Sequence, residues 1–357
     1  MNSMRHILML AHIKKMRTYL PIILLVLTIV SCGHNEHWEE YFGKNLPSSG
    51  QGYEVLKIDD QFNLYLGGEY TVTLGEVNNQ YQFERYCVLY SSSDFGRTWN
   101  KLPLPKLLGQ ISHIDVNGGN IVIVNQFIMN DSSQILLSED KGRNWKKLFS
   151  YHKDNYIQSI QIGNDKKIRL VARERNGNQK VLSLSKSKID SIILPEEIRH
   201  VQLTDKGFFG ITQSKTSPHL IKYDSLGIVK SKSDIEFKIP QVHSKQNDEG
   251  DILFYDSYTS SKIVLLRNEQ FFEFDLSKFE NYNVKEPYIE DSLIIVDGFY
   301  SDDAALLGVI HTFLVSEDFG QTWEEEEIPS PMITEPGDMK KGRFLTYAGI
   351  GRFQERK

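Results

Sequence analysis

The octapeptide Ser-Ser-Asp-Phe-Gly-Arg-Thr-Trp occupies residues 92–99 and occurs twice more with small changes. Residues 138–145 read Ser-Glu-Asp-Lys-Gly-Arg-Asn-Trp, and residues 316–323 read Ser-Glu-Asp-Phe-Gly-Gln-Thr-Trp. The shared pattern is Ser-x-Asp-x-Gly-x-(Thr/Asn)-Trp, and it contains three of the four tryptophans in the chain. A repeat of this kind indicates an architecture that is built from copies of one unit.

The spacing of the repeats predicts the size of that unit. Asp94 and Asp140 are 46 residues apart, whereas Asp140 and Asp318 are 178 apart, which is four steps of 44.5. Short runs rich in Val, Ile, Tyr and Phe, broken by Gly, Asn and Asp, precede the repeats and are typical of strands. Units of roughly 40–50 residues made of short strands are characteristic of a β-propeller with four-stranded blades. The predicted fold class is therefore all-β.

The number of blades follows from the four-step gap and from the end of the chain. Degenerate copies of the repeat, without the tryptophan, fill the gap at residues 182–186, 221–227 and 272–276. Residues 343–349 and 352–354 read as two more strands. If these strands complete the first blade, the propeller has six blades, and this is the number we expect. If they form another blade with the strands near Tyr53, it has seven.

The residue types of the repeat predict a structural hairpin. An Asp side chain accepts hydrogen bonds from backbone N–H groups of its own turn, and Gly takes a positive φ without steric cost. Ser and Thr hydroxyls bond locally, and Trp packs a large apolar face on the sheet. One carboxylate per blade makes no metal cluster, so we predict no metal site. The predicted structural residues are Ser92, Asp94, Gly96, Thr98, Trp99, Ser138, Asp140, Gly142, Trp145, Ser316, Asp318, Gly320, Thr322 and Trp323.

The repeat resembles the Asp-box, also called the bacterial neuraminidase repeat. This motif is found in sialidases, xyloglucan-cleaving glycosidases, sortilin-type receptors and photosystem II assembly-factor-like proteins. The resemblance implies that the repeats join outer strands of blades, away from an active face. It also implies, for a sialidase, an arginine in a Phe/Tyr-Arg-Ile-Pro motif before the first repeat. No such motif precedes Asp94, and residues 237–240 read Phe-Lys-Ile-Pro, so sialidase activity is not expected.

The N-terminal region has the features of a secretory signal. Positive charges precede an apolar run, Leu20–Val30, that is too short to span a bilayer comfortably. Cys32 follows Ser31 directly, and the stretch resembles a bacterial lipoprotein signal that is cleaved before a lipid-modified cysteine. The alternative is a plain signal peptide with an incidental cysteine. We expect a signal peptide at 1–31, lipid attachment at Cys32, a polar tether at 32–52 and the propeller at 53–357. Within the tether, the aromatic residues Trp38, Tyr41 and Phe42 are candidates to dock on the domain.

Composition excludes some classes of partner and of chemistry. The net charge of −6 gives no reason to expect nucleic-acid binding, which needs a basic face. If Cys32 carries lipid, Cys87 has no disulfide partner and acts as a small buried hydrophobe. No cofactor motif or zinc spacing is present. Asp302 and Asp303, beside aromatic residues, are the first candidates for a catalytic carboxylate pair, and Glu324–Glu327 reads as an exposed outer strand.

These observations predict a lipoprotein of the cell envelope, placed at the outer membrane if the source is Gram-negative. Its propeller is expected to bind a protein or glycan without catalysis, at one end of the axis where loops gather. The first alternative is a glycoside hydrolase that acts on surface or host glycans. The second alternative is an assembly factor for an envelope complex. The sequence leaves the ligand and the catalytic residues unassigned.

Overall fold

A computed structural model describes the fold of the chain, which divides into two compact units, Met1–Trp38 and Glu39–Lys357. Trp38 is the one described residue of the first unit, so the expected signal peptide and Cys32 lie outside the described residues. No helix in the described part has the length and apolar character that a bilayer span requires. The described residues are 38–47, 51–77, 80–126, 132–152, 155–185, 188–195, 198–204, 207–212, 219–235, 243–247, 251–255, 262–268, 270–301, 309–327, 337–347 and 352–356.

Within these ranges the elements are 28 strands in seven four-stranded sheets, which we number as blades in chain order. Blade 1 contains β2 (Gln51–Ile58), β3 (Leu64–Val77), β4 (Gln80–Ser92) and β5 (Asn100–Lys101). Blade 2 contains β6 (Gln110–Asn117), β7 (Asn120–Gln126), β8 (Ser132–Ser138) and β9 (Lys146–His152). Blade 3 contains β10 (Asn155–Ile162), β11 (Ile168–Glu174), β12 (Gln179–Leu184) and β13 (Ile189–Ile193).

The remaining blades have the same order of strands. Blade 4 contains β14 (Ile198–Thr204), β15 (Gly207–Thr212), β16 (His219–Asp224) and β17 (Val229–Asp234). Blade 5 contains β18 (His243–Gln246), β19 (Ile252–Tyr255), β20 (Lys262–Arg267) and β21 (Gln270–Asp275). Blade 6 contains β22 (Tyr282–Glu290), β23 (Leu293–Ser301), β24 (Val309–Ser316) and β25 (Glu324–Glu327). Blade 7 contains β26 (Gly337–Lys340), β27 (Arg343–Tyr347), β28 (Arg352–Arg356) and β1 (Trp38–Phe42).

The hydrophobic core lies between neighbouring blades. The second strands of the blades are the most apolar, as in β7, where the run Ile121–Val124 has no exposed side chain. A strand that is covered on both faces favours such β-branched residues. Val122 and Ile135 of blade 2 pack in one cluster with Leu170 and Leu182 of blade 3, and equivalent clusters fill other junctions.

The first strand of each blade is innermost. Strand β2 contacts both β6 and β26, β10 contacts β6 and β14, and β22 contacts β18 and β26. Carboxylate side chains connect some of these first strands by hydrogen bonds. Asp338 Oδ2 in β26 accepts a hydrogen bond from the N–H of Ile58 in β2 at 2.7 Å. Asp115 Oδ2 accepts one from the Ile162 N–H at 2.6 Å. These bonds join the first strands of successive blades around the axis.

The prediction of an all-β propeller with four-stranded blades is confirmed, but the expected number of six blades is wrong because the propeller has seven. Strands β27 and β28 do not complete blade 1. With β26 they form blade 7, whose outer strand is β1. This strand lies inside the segment that we assigned to the polar tether. The sequence Trp-Glu-Glu-Tyr-Phe is acidic, and its pairing partner is roughly 300 residues away, so no local pattern marks it as a strand.

The three clear repeats and one degenerate copy lie at the position that the step count predicts. The three clear copies join the third and fourth strands of blades 1, 2 and 6, and the copy at 221–227 has the same position in blade 4. The copy at 182–186 includes the end of β12, a third strand, whereas 272–276 falls in β21, a fourth strand. Strand β25 is an outer strand, as expected, but Glu326 is buried against Arg356 of blade 7, with Nε–Oε2 at 2.9 Å.

Candidate functional site at the blade 1 extension

The three repeat loops share one hydrogen-bond arrangement. In the first, the Ser92 hydroxyl donates to Asp94 Oδ1 at 2.8 Å and accepts from the Gly96 N–H at 2.8 Å. Thr98 donates its N–H to Asp94 Oδ1 at 2.8 Å and its hydroxyl to Oδ2 at 2.6 Å. The Trp99 indole N–H donates to the Gly96 carbonyl at 2.8 Å. Each aspartate therefore gives both carboxylate oxygens to its own loop.

The second and third loops repeat this arrangement. Asp140 accepts from the N–H and side-chain amide of Asn144 at 2.8 and 2.6 Å, and Asp318 accepts from Thr322 at the same two distances. These bonds, together with the serine hydroxyl bond, lower the pKa of Asp140 and of Asp318 to about 2. Burial raises the pKa of Asp94, but the bonds from Thr98 and Ser92 outweigh it, so that pKa is also lowered.

Sequence analysis named further candidates, and several lie outside the described residues. Cys32, Asp302, Asp303 and the stretch 237–240 belong to this group. Cys87 is described and buried, and Asn125 donates to its sulfur at 2.8 Å. Burial raises the pKa of the Cys87 thiol to about 12, so the thiolate that would act as a nucleophile is not formed near neutral pH. Among the described residues, no three His, Cys, Asp or Glu are grouped to hold a metal ion.

Bulges near the start of the inner strands were not predicted from the sequence. Five first strands carry one, and the extra residues are Glu54, Ser112, Gln158, Arg199 and Lys285. A bulge inserts one residue into one strand of a pair and changes the direction of its side chain. These bulges lie at the end of the first strands where the second and third strands of each blade are also joined. That end is the one at which inter-strand loops gather.

One of these bulges adjoins a cluster of ionisable side chains in blade 6. Glu286 on β22 is the register partner of Asp297 on β23, and Lys285 Nζ lies 3.7 Å from Asp297 Oδ2. The Tyr288 hydroxyl donates to Glu286 Oε2 at 2.8 Å. Burial, followed by the charges of Glu286 and Asp297, raises the pKa of Tyr288 well above its ordinary value. Tyr288 and Asp297 are both buried.

Blade 1 extends past its own first strand at the same end. Strand β2 begins to pair with β3 at Gln51, opposite Tyr70, but β3 continues to Val77 and pairs there with β4. We call residues 71–77 and 80–85 the blade 1 extension. It has a bulge at Leu74, between the paired residues Thr73 and Gly75. The two strands of the extension therefore lack the support of β2.

The blade 1 extension exposes large apolar side chains. Leu74 is 57% exposed, Tyr81 is 63% exposed and Phe83 is 58% exposed. The rings of Tyr81 and Phe83 lie on the same face of β4, with their centroids 6.3 Å apart. An exposed pair of neighbouring aromatic rings with polar side chains beside it is typical of a protein interaction site.

Charged and aromatic residues form the border at the base of the extension. The rings of Tyr70 and Tyr86 are stacked, with centroids 5.5 Å apart. Lys101 Nζ lies 4.9 Å from the Tyr70 centroid, and Lys106 Nζ lies 4.7 Å from that of Tyr86. Arg85 pairs with Glu69 at 3.1 Å. The lysine cations contact the faces of Tyr70 and Tyr86 and help to fix the orientation of both rings. The exposed rings of Tyr81 and Phe83 therefore lie next to a packed group of side chains.

No protein-family model matches the chain, and no curated protein matches it. Among solved structures, YCF48 bound to D1 peptide is 14% identical, with a TM-score of 0.58 over 89% of this chain and 94% of that chain. Virginiamycin B lyase from Staphylococcus aureus is 13% identical, with a TM-score of 0.57 over 89% and 98%. The β-propeller domain of Myceliophteria thermophila Cps50 (Swd1) is 9% identical, with a TM-score of 0.59 over 89% and 99%. At these identities the similarity shows the β-propeller fold alone.

Proposed function

We propose that this chain is an envelope-anchored propeller that binds a protein partner through the blade 1 extension and catalyses no reaction. The observation that carries the proposal is the exposure of Leu74, Tyr81 and Phe83 on a hairpin that, in the described structure, extends past the first residue of β2. In the free protein these side chains expose apolar surface to water. Contact with a partner buries that surface, and each Å² buried stabilises the complex by about 25 cal/mol. Tyrosine and phenylalanine in such a position are typical anchors of protein interfaces.

The apolar character of the extension favours a protein over a glycan as its partner. A glycan presents hydroxyl groups, and an aliphatic side chain such as Leu74 cannot hydrogen-bond them. YCF48, which has the same fold, is known with a bound D1 peptide, and this supports a peptide ligand for a propeller of this size. An assembly factor for an envelope complex would use the same surface, and the identity of the partner separates that alternative from the general one.

The anchor and the repeat loops are parts of the same proposal. The resemblance of the loops to Asp-boxes, with every carboxylate oxygen bonded inside its own loop, supports a structural role for Asp94, Asp140 and Asp318. The sequence before Cys32 supports lipid attachment there, and β1 begins six residues later at Trp38. Cys32→Ser is expected to move the protein from the detergent phase to the aqueous phase. Unchanged partitioning would contradict the anchor.

Photo-crosslinking in cells tests the binding surface. A crosslinking amino acid at Tyr81 is expected to capture a distinct protein, whereas the same amino acid at Leu226 is expected to capture none. Leu226 is the matched control because it is 76% exposed and lies in blade 4. Phe83→Ser should remove the crosslink from position 81 and leave the melting temperature unchanged. Equal capture at both positions, or none at position 81, would contradict the proposal.

A glycoside hydrolase remains the second candidate because Glu286 and Asp297 face each other across two strands. Hydrolysis of a glycosidic bond needs two carboxylates, roughly 5–9.5 Å apart, on either side of the substrate. Here Asp297 is buried beside Lys285, and Glu286 accepts a hydrogen bond from Tyr288. Release of sugar from a glycan panel by the wild type, abolished in Glu286→Gln, would support the enzyme and overturn the binding proposal.

A further inference from the structure

The outer strand of blade 7 differs from the other outer strands in how it is connected. In blades 1 to 6 of the described structure, the fourth strand follows the third after a short turn. In blade 7 the outer strand β1 comes from the other end of the sequence, roughly 300 residues before β28. No turn joins β1 to β28, so non-covalent contacts pair the two strands, and the covalent link of β1 to the propeller is the chain that leads to β2 at Gln51.

The backbone after β1 is held by the first repeat loop. The Lys44 N–H donates to the Arg97 carbonyl at 2.8 Å, and the Trp99 N–H donates to the Lys44 carbonyl at 2.9 Å. This pair of bonds forms a parallel bridge between Lys44 and Thr98. The Tyr41 hydroxyl donates to the Phe95 carbonyl. Residues 39–46 therefore lie between β28 on one side and the first repeat loop on the other.

Side chains of residues 39–46 fit this space closely. A Cβ at Gly43 would lie 2.6 Å from Trp99 Nε1 and 2.9 Å from the Phe353 ring, so only glycine fits there. The Trp99 and Phe353 rings are stacked, with centroids 5.2 Å apart. Leu46 is buried in the same core cluster as both rings.

The polar contacts of the segment add to this fit. Glu39 pairs with Arg97 at 2.9 Å, and the Arg97 guanidinium lies 4.7 Å from the centroid of the Tyr41 ring. An acidic residue, a tyrosine, a glycine and a leucine thus have separate complementary positions at 39, 41, 43 and 46. The space therefore selects for particular residue types at these four positions and does not accept every extended segment equally.

We propose that the junction of blades 7 and 1 is a strand-binding slot, and that residues 39–46 are its exchangeable ligand. Release of this segment breaks the contacts described above and leaves the hydrogen bonds of blades 1 to 6 intact. Local opening of this kind needs less free energy than global unfolding. Residues 39–46 of a second copy of this chain, with the pattern Glu-x-Tyr-x-Gly-x-x-Leu, occupy the slot when the native segment leaves it.

Hydrogen exchange on the intact chain tests the opening. The amides of Lys44 and Trp99 are expected to exchange together, at least ten times faster than those of Val122 and Val124 in β7. Gly43→Ala should accelerate the first pair at least tenfold further and leave the second pair unchanged. If Lys44 and Trp99 exchange as slowly as the β7 amides in the wild type, the segment opens only with global unfolding and the proposal is overturned.

Peptide exchange tests the slot itself. A protease site placed at 48–50 of the full chain is cut after folding, and a labelled peptide of residues 38–46 is added in excess. We expect the label to bind with one-to-one stoichiometry as the native segment leaves. The same peptide with Tyr41→Ala and Gly43→Ala should bind at least ten times more weakly. No uptake of the native peptide, or equal uptake of the two peptides, would show that no sequence-selective slot exists.

Discussion

The first and second repeat loops have the same internal bonds but different surroundings. Residues 92–99 and 138–145 match in every Ser, Asp and Gly contact, with distances that agree within 0.1 Å for the aspartate bonds. Trp99, however, is 1% exposed between Gly43 and Phe353, whereas Trp145 is only partly buried and packs near Leu102. The conformation of a loop thus follows from its own eight residues, and its contribution to stability depends on the neighbouring blade.

Removing the two tryptophans should separate these contributions most clearly. Trp99→Ala is expected to lower the free energy of unfolding by about 3–5 kcal/mol, because it leaves a cavity at the junction of blades 7 and 1. Trp145→Ala is expected to cost about 1–2 kcal/mol, since its ring keeps part of its solvent contact. Urea denaturation followed by circular dichroism measures both. Equal losses would show that the closure contacts of Trp99 add nothing.

Adding a methyl group at the junction of blades 7 and 1 should have the next largest effect on the free energy of unfolding. Gly43→Ala is expected to lower the free energy of unfolding by about 1–3 kcal/mol, because the new methyl group overlaps Trp99 and Phe353. Gly52→Ala is the control, since a Cβ there meets its nearest side-chain atom, Glu69 Cγ, at an ordinary 3.7 Å. Its effect should stay within about 1 kcal/mol. A Gly43 variant as stable as the Gly52 variant would contradict the close fit.

Acid should affect the two loops alike. The pKa of Asp140 is about 2 in the folded chain, below the value of about 3.9 for an unperturbed Asp. The stability that its ionised form contributes is therefore present above about pH 4 and is lost as the pH falls towards 2. Asp140→Asn and Asp94→Asn should each reduce the drop in melting temperature between pH 5 and pH 2. An unchanged drop in either variant would contradict the assigned hydrogen bonds.

The arginines of the two loops should give the smallest difference. Arg97→Ala removes the pair with Glu39 and the contact with the Tyr41 ring, and it should cost about 1 kcal/mol. Arg143 has the same position in the second repeat, and Arg143→Ala should cause no measurable change. Thermal denaturation of the two single variants provides the comparison. A larger loss for Arg143 would reverse the order that the structure predicts.

The sequence was informative where local chemistry determines structure. The repeat loops, the four-stranded unit and the step of four blades between Asp140 and Asp318 all follow from short-range patterns. For β1, the aromatic residues predicted a contact with the domain but not a strand, because the acidic residues between them suit a solvated tether. The strand forms only through contacts with β28 and the first repeat loop. The burial of Glu326 has the same origin, since its partner Arg356 comes from another blade.

The candidate site was still less predictable. No strand was predicted around Tyr81, and only the pairing of β3 with β4 shows that these two strands continue past the point where β2 begins. The inner bulges are likewise invisible in composition, because the register of the first two strands determines which residue is left unpaired. The sequence predicted binding at one end of the axis, without indicating which end, and it did not identify these side chains.

Because β1 pairs with β28, truncation of the C-terminal end of the chain also affects its N-terminal strand. A chain that stops before Arg352 lacks β28, so β1 has no strand to pair with in blade 7 and β27 becomes an open sheet edge. Unpaired edges of this kind recruit other chains and promote aggregation. Premature termination would therefore produce a protein that quality-control proteases can recognise, although six of its blades are complete.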